Sequence, residues 1–131
     1  MTKLHKCLEN NKTLLEIISS IDEVKAINPV LLDLKGKFNL ADYFIIASGS
    51  SDRHVQGISN RIASNLRDSG IKPLSVEGMN KGHWVLLDYN NILIHIFYDK
   101  IRADYNLENL WKGTEFIDIS KLLNKNKLVA A

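Results

Sequence analysis

Residues 42–59 read DYFIIASGSSDRHVQGIS, and the reading of this stretch decides the fold. From Tyr43 to Ala47 it is nearly continuous in apolar side chains, the pattern of a strand covered on both faces and therefore central in its sheet. The run stops at Ser48-Gly49. Val55, Ile58, Ile62, Ala63 and Leu66 then recur at helical spacing, and Ser51 or Asp52 supplies an N-cap oxygen. Gly70 stands where a C-cap glycine belongs, with Pro73 shortly beyond. A buried strand that runs straight into an amphipathic helix predicts an α/β domain.

Working outward, Leu14, Leu15, Ile17, Ile18, Ile21 and Val24 predict a helix from Lys12 that ends near Asn28-Pro29, and VLLDLKG (30–36) a first strand. Downstream, IKPLSVEG (71–78) reads as a third strand. HWVLLDYNNILIHIFYD (83–99) reads as two antiparallel strands joined at Asn90-Asn91, a pair that tolerates the positive φ of a type I′ turn. DKIRADYNLENLW (99–111) returns to helical spacing, and Phe116, Ile117, Ile119, Leu122 and Leu123 suffice to dock a last short helix. The expectation is a mixed β-sheet flanked by helices, in a single domain over 1–131. Its core spans about 12–112, and 113–131 form a short, partly flexible C-terminal extension.

Hydrophobic content of 45% with 24% charged residues fits a folded globular chain. Seventeen basic and fifteen acidic residues leave a formal charge of +2, too balanced for the field of a nucleic-acid binder. The lone Cys7 allows no internal disulfide and no zinc cluster. No apolar run approaches the roughly 18–20 residues of a membrane span, and the N-terminus resembles neither a secretory nor a transit peptide, so the cytoplasm is the expected location.

Several constellations invite chemistry. Gly49-Ser50 ahead of a helix could cradle a phosphate, because the helix points its positive end at an anion. The stretch lacks the second glycine and lysine of a P-loop and is not GxGxxG. It does resemble the Gly-Ser loop of the nucleotidyltransferase superfamily, whose next strand carries paired metal-binding aspartates. Here IKPLSVEG offers only Glu77. Ser50, Ser51, Asp52 and His54 hint at a Ser-His-Asp hydrolase, yet adjacent positions at one helix start do not form a triad, and capping accounts for them better. His5, His83 and His95 are too isolated to hold a metal; His95, between Ile94 and Ile96, reads as a hydrogen-bonded, partly buried strand residue. No cofactor or metal site is predicted.

Alternation along the hairpin is more informative. If Val85 and Leu87 face one side, Trp84, Leu86 and Asp88 face the other. That second face is either a protein-binding surface anchored by Trp84 or a sheet face covered by a helix. Further on, Asp104 and Glu108 sit one helical turn apart, as a solvated acidic face or a site for an outside cation.

Taken together, DLKGKFNLADYFIIASGSSDRHVQGIS, VEGMNKGHWVLLDYNNILIHIFYD and RADYNLENLW resemble the ribosomal silencing factor family, RsfS or Iojap-like, in order from about Leu15 to Trp111. The resemblance implies a nucleotidyltransferase-like core without catalytic aspartates. It implies a non-catalytic factor that binds the large ribosomal subunit through ribosomal protein L-fourteen and sterically blocks subunit association, repressing translation under nutrient limitation. A role in large-subunit maturation also goes with the family. Free members are commonly homodimers, and the ribosome-bound form is a monomer.

Carried over residue by residue, the family's tryptophan falls on Trp84, which favours the interface reading, with Leu86 and Asp88 beside it. Glu77, Asp88, Asp99, Asp104 and Glu108 are candidates against a basic partner surface. Where the family often has another acid this chain has Lys100. Tyr43, Arg53, His54, Gln56 and Tyr105 also match family positions, several of which serve fold or dimer and not ribosome contact. Ribosomal RNA is at most peripheral: Lys112, Lys121, Lys125 and Lys127 could serve as phosphate counter-charges, but an unattached solvated tail is the expected reading of that segment. The competing expectation is a phosphate-binding enzyme that uses the Gly49-Ser50 loop.

Overall fold

A computed structural model describes residues 11–34, 41–105 and 116–120. In chain order the elements are helix α1 (Lys12–Glu23), strands β1 (Ile27–Asp33) and β2 (Tyr43–Gly49), helix α2 (Asp52–Asp68), strands β3 (Ser75–Glu77), β4 (Trp84–Asp88) and β5 (Ile92–Tyr98), helix α3 (Asp99–Tyr105) and strand β6 (Phe116–Asp118). They build a six-stranded mixed sheet in the order β3-β4-β5-β2-β1-β6. β2 lies parallel to β5, and the other neighbours are antiparallel.

The apolar run of β2 has the expected consequence. Six of its seven residues are buried, and it is hydrogen-bonded on both sides. Tyr43, Ile45 and Ala47 join Leu31, Val85, Leu87, Ile94 and Ile96 in a core closed by Leu14, Ile17, Ile18 and Ile21 of α1 and by Val55, Ile58, Ile62 and Leu66 of α2. Each such aliphatic side chain contributes roughly 1.5–3 kcal/mol through burial. The opposite face is thinner. Val30, Leu32, Leu34, Ile46 and Phe97 form a second cluster, against which Phe44 and Ile101 of α3 pack.

Both long helices end in the same hydrogen-bonded device. At the end of α2, Gly70 N–H donates to the Arg67 carbonyl and Ile71 N–H to that of Leu66, with Gly70 at φ 84°. At the end of α1, Lys25 N–H donates to Asp22 and Ala26 N–H to Ile21, with Lys25 itself at φ 53°. A left-handed lysine is why α1 stops at Glu23 and not near Asn28: no glycine marks the site. β1 therefore begins at Ile27, earlier than expected, and includes Asn28 (φ 46°) and Pro29 within a break in register between Ile27 and Val30. Pro29 has no N–H to pair, so the irregularity costs no ladder bond there.

Other boundaries also moved. The third strand shrinks to Ser75–Glu77, because Ile71 serves as the helix exit and Pro73 cannot donate to a ladder. At the hairpin tip only Asn90 has positive φ (76°), so the turn is not type I′. Asp88 Oδ1 accepts from Asn90 N–H at 2.8 Å, and Asn91 N–H donates to the Tyr89 carbonyl. Phe116–Asp118, expected to open a short helix, instead pairs with β1 as strand β6, its single buried residue Ile117 joining the main core. Helical backbone follows at Ile119-Ser120. Leu122 and Leu123 lie outside the described residues, as does Cys7. Among the described residues no helix is long and apolar enough to cross a membrane.

Two substitutions test the helix assignments. Lys25→Gly relieves the left-handed lysine, and Gly57→Ala fills open space in the exposed middle of α2, where an added Cβ meets nothing within 4 Å. Each is expected to stabilise the protein by about 0.5–1 kcal/mol in urea unfolding. Destabilisation by Lys25→Gly would contradict the α1 terminus described above.

Candidate functional site

Period-2 alternation in β4 sends Val85 and Leu87 into the two-helix core and Trp84, Leu86 and Asp88 to the thinner face. The register places Trp84 opposite Phe97, Leu86 opposite His95 and, across β3, Glu77 opposite Leu86. Trp84, Leu86 and Asp88 thus share one sheet face, as the alternation predicts, and the β3 register adds Glu77 to it. Among the described residues no helix covers Trp84, which remains 40% exposed.

An aromatic row backs that tryptophan. Trp84 stacks on Phe97 with ring centroids 5.0 Å apart and planes 26° apart, and His95 sits 6.0 Å from Trp84, 5.1 Å from Phe44 and 6.2 Å from Phe97. Trp84 Nε1–H donates to His95 Nδ1 at 3.1 Å. With Nδ1 accepting, the imidazole proton resides on Nε2, a buried atom with no hydrogen-bond partner among the described residues. Burial pushes the His95 imidazole down from 6.5 to about 4, so the ring is neutral at physiological pH. His95 is partly buried and hydrogen-bonded, as expected; its partner is legible only once the register is known.

The acidic candidates separate into two groups. Glu77 and Asp88 flank Leu86 beside Trp84, although one oxygen of Asp88 is committed to the hairpin turn. Asp99 and Asp104 lie exposed on α3. Asp99 lines an open hollow of about 340 Å³ with Asn28, Val30, Arg102, Ala103 and Asp118, none of which belongs to the Trp84 group. Glu108 is outside the described residues, as are Lys112, Lys121, Lys125 and Lys127. Arg102, 5% exposed, went unrecognised in the sequence: its Nη1 donates to the Asn28 carbonyl and to Ser48 Oγ, both at 2.9 Å, tying α3 to the irregular start of β1 and to β2.

At the start of α2, Ser51 Oγ accepts from His54 N–H as the N-cap. Ser50 N–H, which a phosphate loop would present to its ligand, donates instead to His54 Nδ1 at 2.9 Å, and His54 Nε2 bonds the Val24 carbonyl at 2.8 Å. Ser50 Oγ is 3.2 Å from the same Nδ1. A hydrolytic base would need that lone pair, which a backbone amide already holds, and the far nitrogen faces a carbonyl where a triad would have a carboxylate. Gly49 has its own explanation in packing: a Cβ there would lie 2.8 Å from Val55 N. The stretch is a latch joining α1, β2 and α2. Gln56 acts similarly, donating through Nε2 to the carbonyls of Met79 and Asn80 and steadying the loop that leads into Trp84.

Residues 8–130 match the family model described as ribosomal silencing factor during starvation, beyond the Leu15–Trp111 stretch that carries the motifs. A ribosomal silencing factor from Bacillus subtilis is 34% identical over 88% of this chain and 99% of its own length. A mouse protein named for mitochondrial assembly of the ribosomal large subunit is 25% identical over 78% of this chain and 46% of its own. Among solved structures, a Chromobacterium violaceum protein superposes with a TM-score of 0.73 at 27% identity, covering 76% of this chain and 83% of that one.

The His95 environment makes stability depend on pH. An unfolded histidine takes up its proton near 6.5 and the folded one near 4, so between these values the unfolded chain binds more protons and stability rises with pH. The contribution is complete above about pH 6.5 and is lost as pH falls towards 4, to the extent of roughly 3 kcal/mol. Urea midpoints measured from pH 7.5 down to 4.5 should fall in the wild type and fall much less in His95→Phe. Equal slopes in the two proteins would contradict the assignment.

Proposed function

The chain belongs to the ribosomal silencing factor family, and on that premise we propose that it binds the large ribosomal subunit through ribosomal protein L-fourteen and, by its bulk, keeps the small subunit from joining. It acts in the cytoplasm under nutrient limitation and makes or breaks no bond. Occupying a maturing large subunit by the same surface gives it a place in subunit assembly, in keeping with the name of its mouse relative. It is a homodimer when free and a monomer on the ribosome.

The observation that carries this reading is the exposed Trp84. A tryptophan costs the chain burial when left in water, and at a protein interface the same ring is the commonest kind of energetic anchor. Leu86 extends the apolar patch, and Glu77 and Asp88 form an acidic rim suited to a basic partner. Asp99, Asp104 and Glu108 contribute from α3 and beyond it as a second, peripheral acidic group. The apolar centre supplies affinity, and the acids supply orientation and encounter rate.

In co-sedimentation with purified large ribosomal subunits, Trp84→Ala should keep its fold and bind more weakly by about 2 kcal/mol or more, the scale of a hot-spot truncation. Wild-type affinity in that variant would remove Trp84 as the anchor. Substitutions of Glu77 and Asp104 should instead act chiefly on the association rate and its salt dependence.

A further inference from the structure

We propose that His95 is the positioning residue of the Trp84 surface: by accepting the indole N–H and packing beside the ring, it holds Trp84 in the orientation that a partner's pocket receives. The inference rests on the reading of Trp84 as the partner anchor and adds the device that presents it.

The geometry carries the proposal in three steps. Trp84 has Phe97 directly opposite it, and Phe97 offers a stacking surface but no polar group, so stacking alone leaves the indole able to slide and turn over the phenyl ring. His95, on the diagonal position two residues away in β5, is where a hydrogen-bond acceptor reaches the indole nitrogen. The stacking contact supports the ring's face, and the directional bond acts on its rotation.

The second step is what His95 does not do. Its Nδ1 serves Trp84, while its Nε2 is buried without a hydrogen-bond partner among the described residues. An imidazole so placed burdens the fold with an unsatisfied donor, and a phenyl or aliphatic side chain would fill the space between Phe44 and Phe97 without that penalty. Among the described residues the side-chain polar contact of His95 is to the exposed tryptophan.

The third step concerns the partner. Because the indole N–H is engaged within the protein, Trp84 and Leu86 meet a partner as apolar surface, so the matching pocket is an apolar slot, with cationic groups at its edge facing Glu77 and Asp88. An acceptor at the floor of that slot would gain nothing from this tryptophan.

The test uses the full chain with Trp111→Phe, so that Trp84 is the single tryptophan. His95→Phe keeps an aromatic ring and removes the acceptor; His95→Asn restores an acceptor near the Nδ1 position. The indole N–H resonance and the fluorescence anisotropy of Trp84 report its orientation, and titration with purified large ribosomal subunits reports binding. His95→Phe is expected to shift the indole resonance, lower the anisotropy and weaken binding roughly five- to tenfold, the effect of losing one neutral hydrogen bond. His95→Asn should recover most of each. In a Trp84→Phe background the His95→Phe effect on binding should vanish.

A His95→Phe protein with unchanged Trp84 signals and unchanged binding overturns the proposal, as does a loss that persists undiminished in the Trp84→Phe background. Trp84→Ala assayed in parallel separates the two readings. Normal binding by that variant removes the anchor itself, whereas weakened binding there with normal binding by His95→Phe removes only the positioning role.

Discussion

Everything in this fold depends on β2 being covered on all sides. Its seven residues are too apolar to leave either face in water, and its backbone must be paired along both edges. One edge is met by β1, close in sequence and antiparallel. The other is met by β5 running parallel, and a parallel neighbour cannot be reached by a tight turn. The chain must travel back across the sheet first. α2 is that return path, and β3 and β4 are laid down before β5 arrives in place.

The cost of this arrangement is unequal cover. α1 and α2 together shield one face, while seven-residue α3, docked through Ile101 and pinned by Arg102, is the described helix packed against the other. The β4 end of that second face therefore carries aromatic rings where more of the third layer of structure would otherwise lie. Trp84, His95, Phe97 and Phe44 make a partial hydrophobic surface in which Phe97 is buried, Phe44 and His95 are half-buried and Trp84 is exposed. A surface of that kind suits the partner contact proposed above.

Much of this was legible in the chain. The continuous apolar run of β2, the helical stripe of α2 with Ser51 and Gly70 at its ends, and the alternation that sets Trp84 against Val85 all follow from local periodicity, which survives folding unchanged. What escaped was of two kinds. Boundaries set by backbone conformation, such as the left-handed Lys25 that ends α1 and the three-residue β3, have no side-chain signal; the residues that would announce them are absent. Contacts set by register were the other: Trp84 to His95, His54 to Val24 and Arg102 to Ser48 join positions 11, 30 and 54 residues apart. No spacing rule reaches that far. The glycine of the opening stretch shows the same limit in reverse, since its local context suggests a ligand and its tertiary context supplies Val55.

The hairpin at Asn90 has a consequence for how this protein can vary. β4 serves two masters, with odd-numbered Val85 and Leu87 in the core and even-numbered Trp84 and Leu86 on the proposed partner face, and the tight turn held by Asp88 keeps the two sets from exchanging. Gain or loss of one residue in most surface loops is harmless. Here a single insertion absorbed by sliding β4 along β5 would exchange odd for even, driving tryptophan inward and valine outward in one event. The turn is consequently closed to length change although Asn90 and Asn91 at its tip are exposed.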